Sequence, residues 1–117
     1  MSSVVIKSID AFRLRQAVDS YAERLLAEHP EIEEVVIFGS FAKGTYAPGS
    51  DVDVFILLSR SDKGIRDRIP DFLPGPFPVG IDLFPYTKDE VRAREGSPVL
   101  AAVDQSEWRY RRPRAEN

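Results

Sequence analysis

The sequence predicts an α/β (α+β) protein: one domain, residues 1–117, in which helices pack on a single mixed sheet of about four strands. Two observations lead there. Apolar residues alternate along the chain between a helical spacing and short β-branched runs, so that helix and strand follow each other. At 117 residues the chain has the length of one compact domain with its own core, and no repeat, low-complexity block or long linker divides it.

Val4-Val5-Ile6 is too short to assign, and residues 1–7 and 113–117 are expected to fray. Ile9, Phe12, Leu14, Val18, Tyr21, Leu25 and Leu26 recur at helical spacing and predict an amphipathic helix over Asp10 to Glu28. His29-Pro30 closes it, because proline disfavours helical geometry in the residue before it. Glu33 to Phe38 is the first strand. Asp51 to Leu58 is the second, with Val52, Val54, Ile56 and Leu58 on one face and Asp51, Asp53, Phe55 and Leu57 on the other. Both faces are largely apolar beyond the aspartates, which marks a central strand covered by helices on at least one side. Ser59 to Asp62 is a turn with Asp62 as N-cap of a short helix carrying Ile65, Ile69 and Phe72 or Leu73, which Pro70 should shorten or bend. Pro74-Gly75-Pro76-Phe77-Pro78 is a loop. Val79 to Phe84 is the third strand, with Asp82 facing opposite to Ile81 and Leu83. Thr87-x-x-Glu90 is a capping box opening a helix that Gly96 ends, and Ser97-Pro98 caps another. Glu107 to Arg112 alternates Trp108 and Tyr110 with Arg109 and Arg111, as an edge strand would.

The chemistry concentrates between Val35 and Ile56, where two apolar strands bracket a glycine turn and a carboxylate pair. Gly39-Ser40 suits an abrupt strand-to-helix turn: glycine permits close backbone approach, serine can cap, and a free helix N-terminus attracts phosphate. An ordinary loop turn is the alternative. Asp51 and Asp53 leave one face of their strand with Cα atoms about 6 to 7 Å apart, close enough for the side chains to converge on a divalent cation. Like charges so placed call for a cation or a shared proton, and the apolar neighbours Val52, Val54, Phe55 and Ile56 speak against an exposed, solvated edge. Asp82 is a third candidate, the alternative being a solvent-facing strand acid. Oxygen ligands without histidine or cysteine nearby favour Mg²⁺ over zinc, and magnesium commonly binds substrate phosphates as well.

Composition narrows the partners. The net charge of -3 argues against broad attraction to nucleic acid. Cysteine is absent, which removes disulfides and thiolate metal sites and is compatible with a reducing cytoplasm. No apolar stretch has transmembrane length and no signal-peptide pattern opens the chain, so a soluble cytoplasmic protein is expected, with homo-oligomerisation left open. His29 is expected at the surface, against the C-terminal dipole of its helix. Arg109, Arg111, Arg112 and Arg114 form the single basic cluster, read as charge protecting an edge strand, with an acceptor or RNA contact as the alternative.

Gly39-Ser40 followed by Asp51-x-Asp53, with Gly44 and Ser50 between, resembles the nucleotidyltransferase superfamily typified by DNA polymerase β, and within it the minimal (MNT-type) branch. That branch carries Gly-Ser-x-Ala-Arg-Gly-x-x-Arg-Pro-x-Ser-Asp-x-Asp, and Gly39, Ser40, Ala42, Gly44, Pro48, Ser50, Asp51 and Asp53 fall in register. Lys43 replaces the first arginine, keeping the charge without the planar fork, and Ala47 replaces the second. The resemblance implies the nucleotidyltransferase fold and a metal site of Asp51, Asp53 and Asp82, the last a late aspartate on a neighbouring strand. In a two-Mg²⁺ scheme Asp51 and Asp53 hold the ion that clamps the triphosphate. All three hold the ion that readies the incoming hydroxyl, and Asp82 accepts its proton. Gly39 and Ser40 supply donors to the β and γ phosphates, Ser50 belongs to the same nucleotide-binding set, and Lys43 either neutralises phosphate or is simply solvated. It further implies ATP as substrate and a HEPN-type helical partner protein, neutralised by transfer of AMP to one of its tyrosines in a toxin-antitoxin pair. Two alternatives stand beside this: a non-catalytic protein of the same fold that neutralises by binding, and an antibiotic-type small-molecule nucleotidyltransferase, which the lack of an acceptor domain disfavours.

Overall fold

Asp10 starts the first helix by accepting from the N–H groups of Phe12 and Arg13, and His29 ends it with an N–H bond to the Leu25 carbonyl. The computed structural model describes residues 10–113, so Val4-Val5-Ile6, Ile9, Arg114 and, except for Pro113, the ends expected to fray lie outside the described residues. The elements are α1 (Ala11–Glu28), β1 (Ile32–Phe38), α2 (Ser40–Lys43), β2 (Val52–Leu58), α3 (Ile65–Phe72), β3 (Ile81–Thr87), α4 (Lys88–Ala93), α5 (Pro98–Gln105) and β4 (Trp108–Arg111).

They form one four-stranded mixed sheet in the order β3-β2-β1-β4. β1 runs antiparallel to both β2 and β4, while β2 and β3 are parallel, joined by the crossover through α3 that a parallel pair requires. The expected split of β2 into two faces holds. Val52, Val54, Ile56 and Leu58 pack under Leu14, Val18, Tyr21 and Leu25 of α1 and Phe72 of α3. On the opposite face Phe55 joins Val36 and Phe38 against Leu100 and Val103 of α5. β2 is thus central and covered on both sides, and its backbone position is held by apolar contact on each face.

Two local expectations are corrected. β3 begins at Ile81 and runs through Pro85 to Thr87. A proline that cannot donate to the ladder is tolerated because β3 is an edge strand. The cap of α3 is Gly64, with no side-chain bond, and not Asp62; Ser61 instead holds the preceding turn through the Lys63 N–H. Pro70 lies inside α3, which ends two residues later. Arg68 was not singled out by the sequence. It is 3% exposed, forks onto Glu90 at 2.6 and 2.9 Å, and donates to the carbonyls of Lys63 and Pro85, tying α3 to the end of β3 and the start of α4. This ion pair holds the Glu90 carboxyl down at about 2.

Candidate active site

The register of the parallel pair sets Asp53 of β2 directly beside Asp82 of β3. Adjacent strands are about 4.8 Å apart, so these two carboxylates are neighbours on the sheet face that also carries Phe55 and Phe84. Asp51 immediately precedes β2 and, two residues before Asp53, rises on the same side. Asp53 is half-buried, whereas Asp51 and Asp82 are exposed. Burial first, then the charges of Asp82 and Asp51, push the Asp53 carboxyl pKa upward, and no donor or cation among the described residues pulls it down. Sequence-distant acids are thereby brought to one place.

They do not converge into a finished cluster. Among the described residues no three carboxylate, histidine or cysteine side chains stand close enough together to hold a metal ion. A Cβ on Gly39 would lie 3.3 Å from Asp53 Cγ and closer still to Oδ2, and a Cβ on Gly80 would lie 2.9 Å from Asp51 Cγ and closer still to Oδ1. Asp53 thus leans toward the end of β1 and Asp51 toward the start of β3. The fit to a cation lies in the donor set, which is oxygen only, and in the uncompensated charge on Asp53.

The turn after β1 depends on Gly39, whose φ of 77° lies in the left-handed region. Gly39, not Ser40, is the N-cap position of α2, and no side chain caps it. Ser40 is the first helical residue, and Phe41 plugs the turn into the core while stacking on Tyr46 at 4.3 Å. The loop back to Asp51 is closed by Ser50, whose N–H donates to Ala47 O and whose Oγ accepts from Ala47 N–H, both at 3.0 Å. Ser50 therefore shapes the approach to Asp51. Lys43 is exposed at the end of α2.

The family model described as "Nucleotidyltransferase domain" matches residues 18–107. The chain belongs to this family. The matched span of the nucleotidyltransferase domain runs from α1 through the Gly39 turn, all three aspartates and α5. A presumed nucleotidyltransferase from Sulfolobus solfataricus, known from a crystal structure at 1.40 Å resolution, is similar in fold, with a TM-score of 0.56 at 22% identity over 86% of this chain and 80% of that one. No curated protein matches the chain significantly.

Two cavities flank the aspartate face of this nucleotidyltransferase domain. One of about 200 Å³ lies beside the turn, lined by Gly39, Ala42, Lys43, Gln105 and Ser106 among others. A larger cleft of about 500 Å³ opens between the sheet and α4–α5 around Phe55, Leu57, Val91 and Leu100, farther along β2, and touches none of the three aspartates. None of the three aspartates lines the smaller cavity either, but Gly39, which does, packs against Asp53.

Where described, the basic cluster bonds within the fold. Arg109 bonds Glu34 at 2.9 Å and the carbonyls of Ser106 and Val103; Arg111 bonds the same Glu34, and Arg112 donates to the carbonyls of His29 and Ile32. His29 is half-buried, its ring edge-on to Phe72 at 4.9 Å. It caps α1 as expected but is less exposed than expected. Sequence reasoning missed Gly80. Its position two residues before Asp82 repeats the spacing of Asp51 and Asp53, but only strand pairing gives that spacing a meaning.

Proposed function

We propose that the chain is a Mg²⁺-dependent nucleotidyltransferase that moves AMP from ATP to a hydroxyl of a partner protein, and that the partner is the HEPN-type toxin of a pair in which this chain is the antitoxin. The observation that carries the reading is the juxtaposition of Asp53 and Asp82 in register, with Asp51 on the same side and the Gly39 turn beside them. Asp51 and Asp53 would hold an ion against the triphosphate, and Asp82 would join them toward the acceptor. When bound, the divalent ions would offset triphosphate charge and lower the pKa of the attacking hydroxyl. Asp82, exposed and paired in register with Asp53, would take that hydroxyl's proton. The first-turn N–H groups after Gly39 have no intrahelical acceptor and would donate to phosphate oxygens together with Ser40 Oγ. Lys43 would add charge at the triphosphate, and Ser50 would keep the loop that delivers Asp51 in shape. The protein acceptor and the partner are what the resemblance to the minimal branch implies, and a cytoplasmic setting is what the absence of cysteine suggests. Among the described residues no helix is long and apolar enough to cross a membrane.

One observation favours a second reading, neutralisation by binding alone: among the described residues no three carboxylate, histidine or cysteine side chains stand close enough together to hold a metal ion. Mass spectrometry of the partner decides. Under the transfer reading, a partner exposed to the protein with MgATP gains mass in AMP-sized steps and stays inactive after separation, and Asp51→Asn/Asp53→Asn fails to protect. An unmodified partner, fully protected by the double variant, would sink the transferase reading.

A further inference from the structure

We infer that Gly80 is a positioning residue whose missing side chain is the space that seats the Asp51 carboxylate. The inference rests on the proposed role of Asp51 as a metal ligand. Val52 N–H donates to Gly80 O at 2.9 Å, one step beyond the pair Val52 and Ile81. The parallel ladder therefore places Gly80 beside Asp51 as it places Asp82 beside Asp53. On this face β2 and its approach present two carboxylates, and β3 and its approach present one carboxylate and a blank. Asp51 leans into that blank.

Backbone freedom does not explain the glycine, because Gly80 is not among the glycines with positive φ. The demand comes from contact alone. A Cβ there would sit 2.9 Å from Asp51 Cγ and closer to Oδ1, where ordinary contact begins at 3.4 Å. What would have to yield is the tip of an exposed side chain, so the fold can accept an alanine while the carboxylate is driven off its place. Gly64 is the matched control: its φ is -70° and a Cβ there meets nothing within 4 Å.

The experiment compares wild type, Gly80→Ala, Gly64→Ala, Asp51→Asn and the Gly80→Ala/Asp51→Asn double variant. Each is titrated with Mn²⁺ in the presence of a non-hydrolysable ATP analogue, free Mn²⁺ being read by electron paramagnetic resonance, and melted in metal-free buffer. Gly80→Ala should weaken Mn²⁺ binding by about 10- to 100-fold, the effect of disturbing a residue that orients a metal ligand, with its metal-free midpoint within about 2 °C of wild type. Gly64→Ala should bind normally, and Gly80→Ala should add nothing in the Asp51→Asn background. Wild-type affinity in Gly80→Ala with binding lost in Asp51→Asn overturns the inference and leaves the metal-site reading standing. Undiminished binding in Asp51→Asn, or none in wild type, overturns the reading and the inference with it. A fall in metal-free midpoint beyond about 5 °C in Gly80→Ala, or an equal loss in Gly64→Ala, shows a merely structural glycine and also overturns it.

Discussion

Asp53→Asn should make the metal-free protein more stable and the protein less able to bind nucleotide. The substitution keeps the side-chain shape and removes one of three like charges. Burial, Asp82 and Asp51 hold the Asp53 carboxyl above its ordinary 3.8, so between that value and the raised one the folded state carries more protons than the unfolded chain. Stability therefore falls as pH rises through the window, and at neutral pH the penalty is fully expressed. The penalty comes first from burial and then from the charges of Asp82, its register partner on β3, and Asp51. Unit charges about 5 to 8 Å apart in a largely solvated site repel by about 0.5 to 1 kcal/mol, and the exposure of Asp82 and Asp51 keeps the sum near about 1 kcal/mol. For a domain of this size the gain corresponds to a rise in Tm of about 4 °C. Thermal melts at about pH 4 and about pH 7, with and without MgATP, test it. The variant should exceed wild type at neutral pH, lose that advantage in acid, and gain nothing from MgATP, which should raise the wild-type midpoint. An asparagine variant that melts below wild type at neutral pH, or that MgATP stabilises as much as wild type, would refute the argument.

Gly39→Ala meets both a φ of 77° and the Asp53 carboxylate, so it should cost more than about 1 kcal/mol in urea unfolding and also abolish MgATP binding in calorimetry. Arg68→Met leaves Glu90 without its fork and should cost about 3 kcal/mol at neutral pH. Because Arg68 depresses the Glu90 carboxyl from 4.5 to about 2, the wild-type advantage is present above the higher value and should shrink as pH falls toward the lower; a gap independent of pH would rule that linkage out. Asp82→Asn should keep appreciable MgATP affinity and lose transfer of α-labelled nucleotide, and transfer at the wild-type rate would make Asp82 a bystander.

Signals carried within a few residues were legible in the sequence. Thr87 and Glu90 exchange both bonds of the capping box, and Ser97 caps α5 with Pro98 in its first turn. Each depends on side chains meeting backbone one turn away, so residue type and spacing suffice. The two-faced burial of β2 was legible for the same reason, since alternation along a strand is a local property. The Gly39 turn and the carboxylates could be named, but not their arrangement. That Asp53 and Asp82 are paired, that Gly80 falls beside Asp51, and that Arg68 reaches Glu90 all depend on the register between β2 and β3 and on the crossover through α3. Register is decided by which apolar residues the two helical layers cover together, a sum over the whole core that no short window contains. The arginines show the same limit: their spacing suggested a charged edge, and only the fold brought Glu34 and the carbonyls of His29 and Ile32 within their reach.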